Sequence, residues 1–335
     1  MPEFDDGGFA RQSQIAPDAD RREWVVAAVS KSPRHGDPLP SIGVGTAICH
    51  HGELLQGVFE DRNGQLHRGL VTLPLAKLAS KATFTCTATT ALTVHPDDKT
   101  KAVLAARKTL DHLDIAEGGI LHIDSDIPIG HGYGSSTADV VAAIRAVAAA
   151  HTVQLLPSRI SQLAVAAEQA SDAIAFDGHA VLFAQREGIV LEDFGGSLPP
   201  LLLVGFSGGP PIDTLNLPPA RYDSVEIQQF RVLRALIAYA IRYQDPNCLG
   251  RAATASALLS QRHLPKQHLE RVIEIAEGAG ACGVQVAHSG SLLGILFDRA
   301  GKNLRQRADG VAASVQRSGF CDVEFHQIND DGAKW

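Results

Sequence analysis

The stretch DIPIGHGYGSSTADVVAAIRAVAAAH, residues 126–151, constrains this chain more than any other. A short apolar run, GILHIDSDIP, reads as a strand that Pro128 ends. Gly130, Gly132 and Gly134 then permit backbone angles closed to other residues. Ser135, Ser136 and Thr137 follow, where a long alanine-rich helix must begin. The first N–H groups of a helix lack partners inside it. Aligned peptide dipoles add roughly half a positive charge at that end. Such a corner suits an anion, and phosphate in particular.

Two common phosphate motifs do not fit. The P-loop pattern needs a lysine before its final Ser or Thr, and none is present here. The dinucleotide fingerprint needs G-x-G-x-x-G, whereas these glycines fall at every second position. A third motif competes elsewhere. VGFSGG matches G-x-S-x-G at Gly205, Ser207 and Gly209, the nucleophile elbow of α/β-hydrolases, with Asp298 and His326 downstream. Two prolines directly after Gly209 oppose the helix that an elbow requires. His50 and His51 lie in HHGE, which lacks the i,i+4 histidine pair of a zinc helix.

The 335 residues carry 30 basic and 37 acidic side chains, a net charge of −7, which argues against a nucleic-acid partner. There is no uninterrupted apolar run of about 20 residues, so no membrane span is expected. Five scattered cysteines without a CxxC pair suit a reducing, cytoplasmic setting. Residues 1–40 read as a leader, 41–198 as a first domain and 199–330 as a second. SRISQLAVAAEQASDAI reads as a helix capped by Ser158. Hairpin-like strands mixed with long helices indicate an α+β fold.

PIGHGYGSSTA resembles the central P-x-x-x-G-L-G-S-S-A signature of the GHMP kinases, with Tyr133 where leucine is usual and Thr137 where alanine is usual. GVGTAICHHGELLQGVF looks like the first motif of that family and GVQVAHSGSLLGILFD like the third, in the same order. GELLQG, VAHSGSLLGILFD and VGFSGGPPIDTLNL look like the L-threonine kinase branch. The resemblance implies a two-domain fold: an N-terminal domain like ribosomal protein S5 domain 2, then a ferredoxin-like domain. It implies transfer of phosphate from ATP to a hydroxylated amino acid, with L-threonine leading. The runners-up are another hydroxylated amino acid or amino alcohol, or a nucleotide-binding regulator with little turnover. A homodimer is compatible with it.

Carried onto this chain, Pro128, Gly130, Gly132, Tyr133, Gly134, Ser135, Ser136 and Thr137 would hold ATP. Ser136 and Glu168 would serve Mg2+, and Asp172 would meet the acceptor hydroxyl, with Asp177 as rival. Glu53 would take the substrate ammonium, with Gln56 beside it. Ser289, Gly290 and Ser291 would shape the floor near the substrate. Ser136, Glu168 and Asp172 are thus the expected catalytic set.

Overall fold

The quoted helix is the centre of the fold in a computed structural model describing residues 42–176, 178–209, 221–288 and 290–329. It runs as α2 (Ser135–Ala150), with Val140, Val141, Ile144 and Val147 fully buried. Each such side chain contributes about 1.5–3 kcal/mol of transfer free energy. Alanines let α2 lie close to β1 (Ile42–Glu60), and the strand yields space in return. A Cβ on Gly43 would fall 2.1 Å from Ala150 N, and one on Gly45 would fall 2.2 Å from Ala142 O.

β1 pairs antiparallel with β2 (Leu66–Cys86), which pairs in turn with β4 (Gly119–Ser125). A short β3 (Leu92–His95) lies parallel to β4, and α1 (Thr100–His112) connects the two. The expected helix SRISQLAVAAEQASDAI is shorter than its pattern. It forms α3 (Pro157–Glu168), with Pro157 in its first turn and Leu156 as the cap residue, so Ser158 lies inside the helix and is not its cap. The helix ends because Gln169 turns left-handed at φ 68°. Asp172 is therefore off the helix, just before a 3-10 turn at Ala173–Ala175.

β5 (Val181–Ala184) and β6 (Ile189–Asp193) form an antiparallel hairpin. Beyond it β7 (Leu201–Ser207), β8 (Gly283–Val286), β9 (Leu292–Asp298) and β10 (Cys321–Ile328) make a second antiparallel group in the order β10-β7-β9-β8. Helices α4 (Ser224–Tyr243), α5 (Pro246–Ser260), α6 (Leu269–Gly278) and α7 (Leu304–Arg317) complete the fold. Asp223 and Glu226 cap α4 reciprocally, each side chain holding the other's backbone N–H.

The two strand groups join through one pairing, Glu53 with Val286. Glu53 also pairs with Thr72 on β2, and register shifts interrupt β1 on both sides of it. These bulges turn Glu53 and His50 inward together. Glu53 is thus a mid-strand residue at the seam.

Among the described residues, no helix is long and apolar enough to cross a membrane. None of the five cysteines takes part in a disulfide. Ser207 is buried, with its hydroxyl bonded to Ser291 Oγ at 2.9 Å and donating to Gly209 O at 2.9 Å rather than facing a histidine. His51 is buried too, and burial first, then His326, push it down to about 3, so it stays neutral.

Candidate active site

The corner begins with the loop before α2. Gly134 is left-handed at φ 71°, and no side chain caps the helix that follows. The first intrahelical bond runs from Ala138 N to Gly134 O at 2.9 Å. The N–H groups of Ser135, Ser136 and Thr137 precede that bond and point out of the helix end. Tyr133 anchors the loop from below, with its ring buried edge-on to His51 and its carbonyl accepting from His50 N at 3.1 Å. Its side chain thus serves the core. Pro128 is exposed where β4 has ended.

Opposite the loop stands the end of α3. Ser136 Oγ donates to Glu168 Oε2 at 3.0 Å. The other carboxylate oxygen of Glu168 is buried and has no hydrogen-bond partner among the described residues. Burial, reinforced by the nearby Asp172 charge, raises Glu168 to about 7. A half-satisfied buried carboxylate costs stability. Here it faces a serine hydroxyl at the positive end of a helix, the donor set of an oxygen-ligated cation.

Asp172 is fixed on both flanks. Ser171 N donates to Gln185 O at 2.9 Å, and Ala173 N to Thr72 Oγ1 at 3.4 Å. Its Oδ2 receives His50 Nε2 at 3.0 Å and Thr137 Oγ1 at 3.3 Å. Gly52 N donates to His50 Nδ1 at 3.0 Å, which places the ring proton on Nε2, toward Asp172. Burial pulls His50 down, but Asp172 and then Glu53 outweigh it and bring the ring to about 8. The Gly52 bond opposes the second proton. His50 in turn holds Asp172 below the usual carboxylate range, against burial. Asp177 lies outside the described residues.

His50, Glu53 and Asp172 each bring one ligand-capable atom to within 4.8 Å of the others. Both nitrogens of His50 are committed to protein partners. The trio therefore reads as a hydrogen-bonded charge network. Glu53 accepts from His288 N, and burial raises it to about 7 despite the pull of His50.

The β8–β9 turn closes the corner. Ser291 N donates to His131 O at 3.0 Å, and a Cβ on Gly290 would fall 2.2 Å from that same oxygen. The third motif thus lies directly on the glycine loop. Ser289 lies outside the described residues. Gln56 is buried, its backbone N–H donating to Ser256 Oγ on α5 at 3.0 Å and its side-chain Oε1 having no hydrogen-bond partner among the described residues. Lys266 is 6% exposed and donates from Nζ to Gly290 O at 2.7 Å. Sequence reasoning missed Lys266, which sits in an irregular segment with no motif. It weighed His50 only as a zinc ligand and missed its bond to Asp172.

A glycine turn at an uncapped helix start, faced by two carboxylates in an α+β fold, brings together free N–H donors and carboxylate oxygens, a chemistry suited to an anion and a cation together. The chain carries matches to both the GHMP kinases N terminal domain, over residues 100–180, and the GHMP kinases C terminal domain, over residues 234–317, and belongs to the GHMP kinase family. It is 31% identical over 195 residues to an L-threonine kinase of Citrobacter freundii, a match over 53% of this chain and 62% of that protein. An L-threonine kinase of Salmonella typhimurium is 31% identical over 187 residues, covering 59% of its length. The matched region thus spans about three fifths of those curated relatives. Among solved structures, the homoserine kinase of Cytophaga hutchinsonii superposes with a TM-score of 0.61 at 15% identity, over 88% of this chain and 97% of that one. The mevalonate pyrophosphate decarboxylase of Streptococcus pyogenes superposes with a TM-score of 0.64 at 11% identity, over 88% and 99%. At these identities the likeness establishes the fold.

Proposed function

We propose that this protein is an ATP-dependent kinase that phosphorylates the hydroxyl of a small amino acid, L-threonine first, giving O-phospho-L-threonine. The unpartnered Oε1 of Glu168, beside Ser136 at the start of α2, carries this reading. The N–H groups at Ser135, Ser136 and Thr137 would hold the polyphosphate. Mg2+ fits Ser136 and Glu168, and when bound it neutralises charge on the transferred phosphoryl group. Asp172 orients the acceptor hydroxyl. Held ionised by His50, it is a weak base that takes the proton as the bond to phosphorus forms. A loose transition state asks for little more than alignment. The division near residue 198 belongs to the same reading, residues 41–198 carrying the nucleotide and 199–330 closing over the acceptor.

An ADP-release assay across L-threonine, L-serine, L-homoserine and amino alcohols tests this. Turnover with L-threonine well above the rest is expected. Turnover only with another acceptor assigns the runner-up. ATP binding without any turnover overturns the kinase reading.

The pKa of Glu168 makes a second prediction. Near 7, the carboxylate is mostly protonated below that pH and ionised above it. A proton and a divalent cation compete for it, so apparent metal affinity falls as pH falls, by up to about tenfold per unit below 7. Mn2+ binding in the presence of a non-hydrolysable ATP analogue, followed by electron paramagnetic resonance at pH 6, 7 and 8, reads this directly. An affinity flat across that range, or unchanged in slope by Glu168→Gln, removes Glu168 from the metal site.

A further inference from the structure

A buried lysine needs a reason. Lys266 has no place in the phosphate or metal reading above, yet it is drawn into the same corner. Its backbone is clamped at the end of α5. Gln261 Oε1 accepts from Lys266 N at 2.8 Å, and Gln261 Nε2 donates to Lys266 O at 2.7 Å. Its ammonium reaches Gly290 O, on the turn that rests on the glycine loop. Among the described residues that carbonyl is its one hydrogen-bond acceptor, leaving two of three ammonium donors for another group.

Glu53 is an opposite charge that acts on it. Burial pushes Lys266 down to about 8, and Glu53 is the group that pulls it back up. Lys266 likewise favours the ionised form of Glu53. Yet among the described residues the two do not close an ion pair: Glu53 accepts from His288 N and has His50 Nδ1 at 3.9 Å, and Lys266 donates to Gly290 O. Two opposite charges are thus buried within electrostatic reach of each other and kept apart by backbone bonds. Isolated burial of either costs several kcal/mol. The arrangement is complementary to a ligand bearing both charges on neighbouring atoms, with its cation toward Glu53 and its anion toward Lys266. An α-amino acid is that ligand: its ammonium and carboxylate share one carbon. Mevalonate-like acids lack the cation, and amino alcohols lack the anion.

We propose that Lys266 binds the substrate α-carboxylate while Glu53 binds the α-ammonium, and that this clamp selects α-amino acids over amino alcohols. The assignment rests on the kinase reading of the same site. Gln261 is a positioning residue in it, acting through the Lys266 backbone.

The test compares the amino acid turned over in the acceptor screen, L-threonine by our reading, with its amide, L-threoninamide, which keeps the hydroxyl and the ammonium but carries no negative charge. Wild-type enzyme is expected to show a KM for the amide at least about tenfold higher, the scale of one charge-assisted hydrogen bond. Lys266→Met is expected to raise the KM for L-threonine at least about tenfold and that for the amide less than about twofold, removing the discrimination. Lys266→Arg restores part of the preference. Equal losses on both acceptors, or wild-type enzyme indifferent to the carboxylate, overturn the clamp. The wild-type comparison stands even if Lys266→Met does not fold. Wild-type enzyme that phosphorylates no amino acid fails the kinase reading instead, so the two failures are distinguishable.

Discussion

Glu168→Gln is expected to lower kcat by about two orders of magnitude or more, and Ser136→Ala by a similar amount. Each removes one half of a pair that meets at 3.0 Å between the start of α2 and the end of α3. Glutamine keeps the shape and can still bond Ser136, but it cannot neutralise a cation. Stability should move the other way. The glutamate carboxylate is raised to about 7 because burial penalises its charge, so the neutral amide relieves a cost of folding. The melting temperature of Glu168→Gln should therefore equal or exceed that of the wild type while activity collapses. That opposition separates a functional carboxylate from a structural one, whose loss would lower both. The activity gap should also narrow below pH 7, where the wild-type carboxylate is itself protonated. Near-normal kcat in both variants would place the site elsewhere.

The parts of this site that could be read from sequence are those where backbone geometry dictates residue type. Gly130, Gly132 and Gly134 announce a turn because positive φ leaves little choice of side chain. Between Ile42 and Cys49 β1 alternates in burial, but its buried positions include Gly43 and Gly45 while Ile42 and Val44 are exposed, and past Cys49 the bulges around Glu53 break the period that marks a strand. Glu168 and Asp172 were expected on one helix. Gln169 in the left-handed region parts them, and a non-glycine residue at that position gives no sequence warning. That break lets two carboxylates four residues apart meet the loop from different directions, one through Ser136 and the other through Thr137 and His50. Lys266 was invisible for a different reason. A lysine in a loop is ordinarily solvated, and only the folded contact with Gly290 reveals it as buried.

His50 links the family's first motif to its second, and Gly134 is where the two touch. Gly134→Ala is expected to cost about 2–4 kcal/mol of stability and at least about a hundredfold in kcat, for two separable reasons. The first is conformational. At φ 71° an alanine sits in the left-handed region at a cost of roughly 1–2 kcal/mol. The second is steric. The new Cβ would lie 2.2 Å from His50 Nε2, 2.3 Å from its Cδ2 and 3.3 Å from Asp172 Oδ2. His50 is 3% exposed and bonded at both nitrogens, so it cannot give way without releasing Asp172. A double-mutant cycle with His50→Ala resolves the two. Removing the ring removes the clash, so the pair should be more stable than the sum of the single losses by at least about 1 kcal/mol in urea unfolding. Activity should not recover, because Asp172 then has neither the histidine that orients it nor an undistorted loop before it. Strict additivity of the two stability losses would mean that the loop and His50 do not touch in solution. Recovery of kcat in the double variant would mean that the His50–Asp172 bond contributes nothing to the reaction.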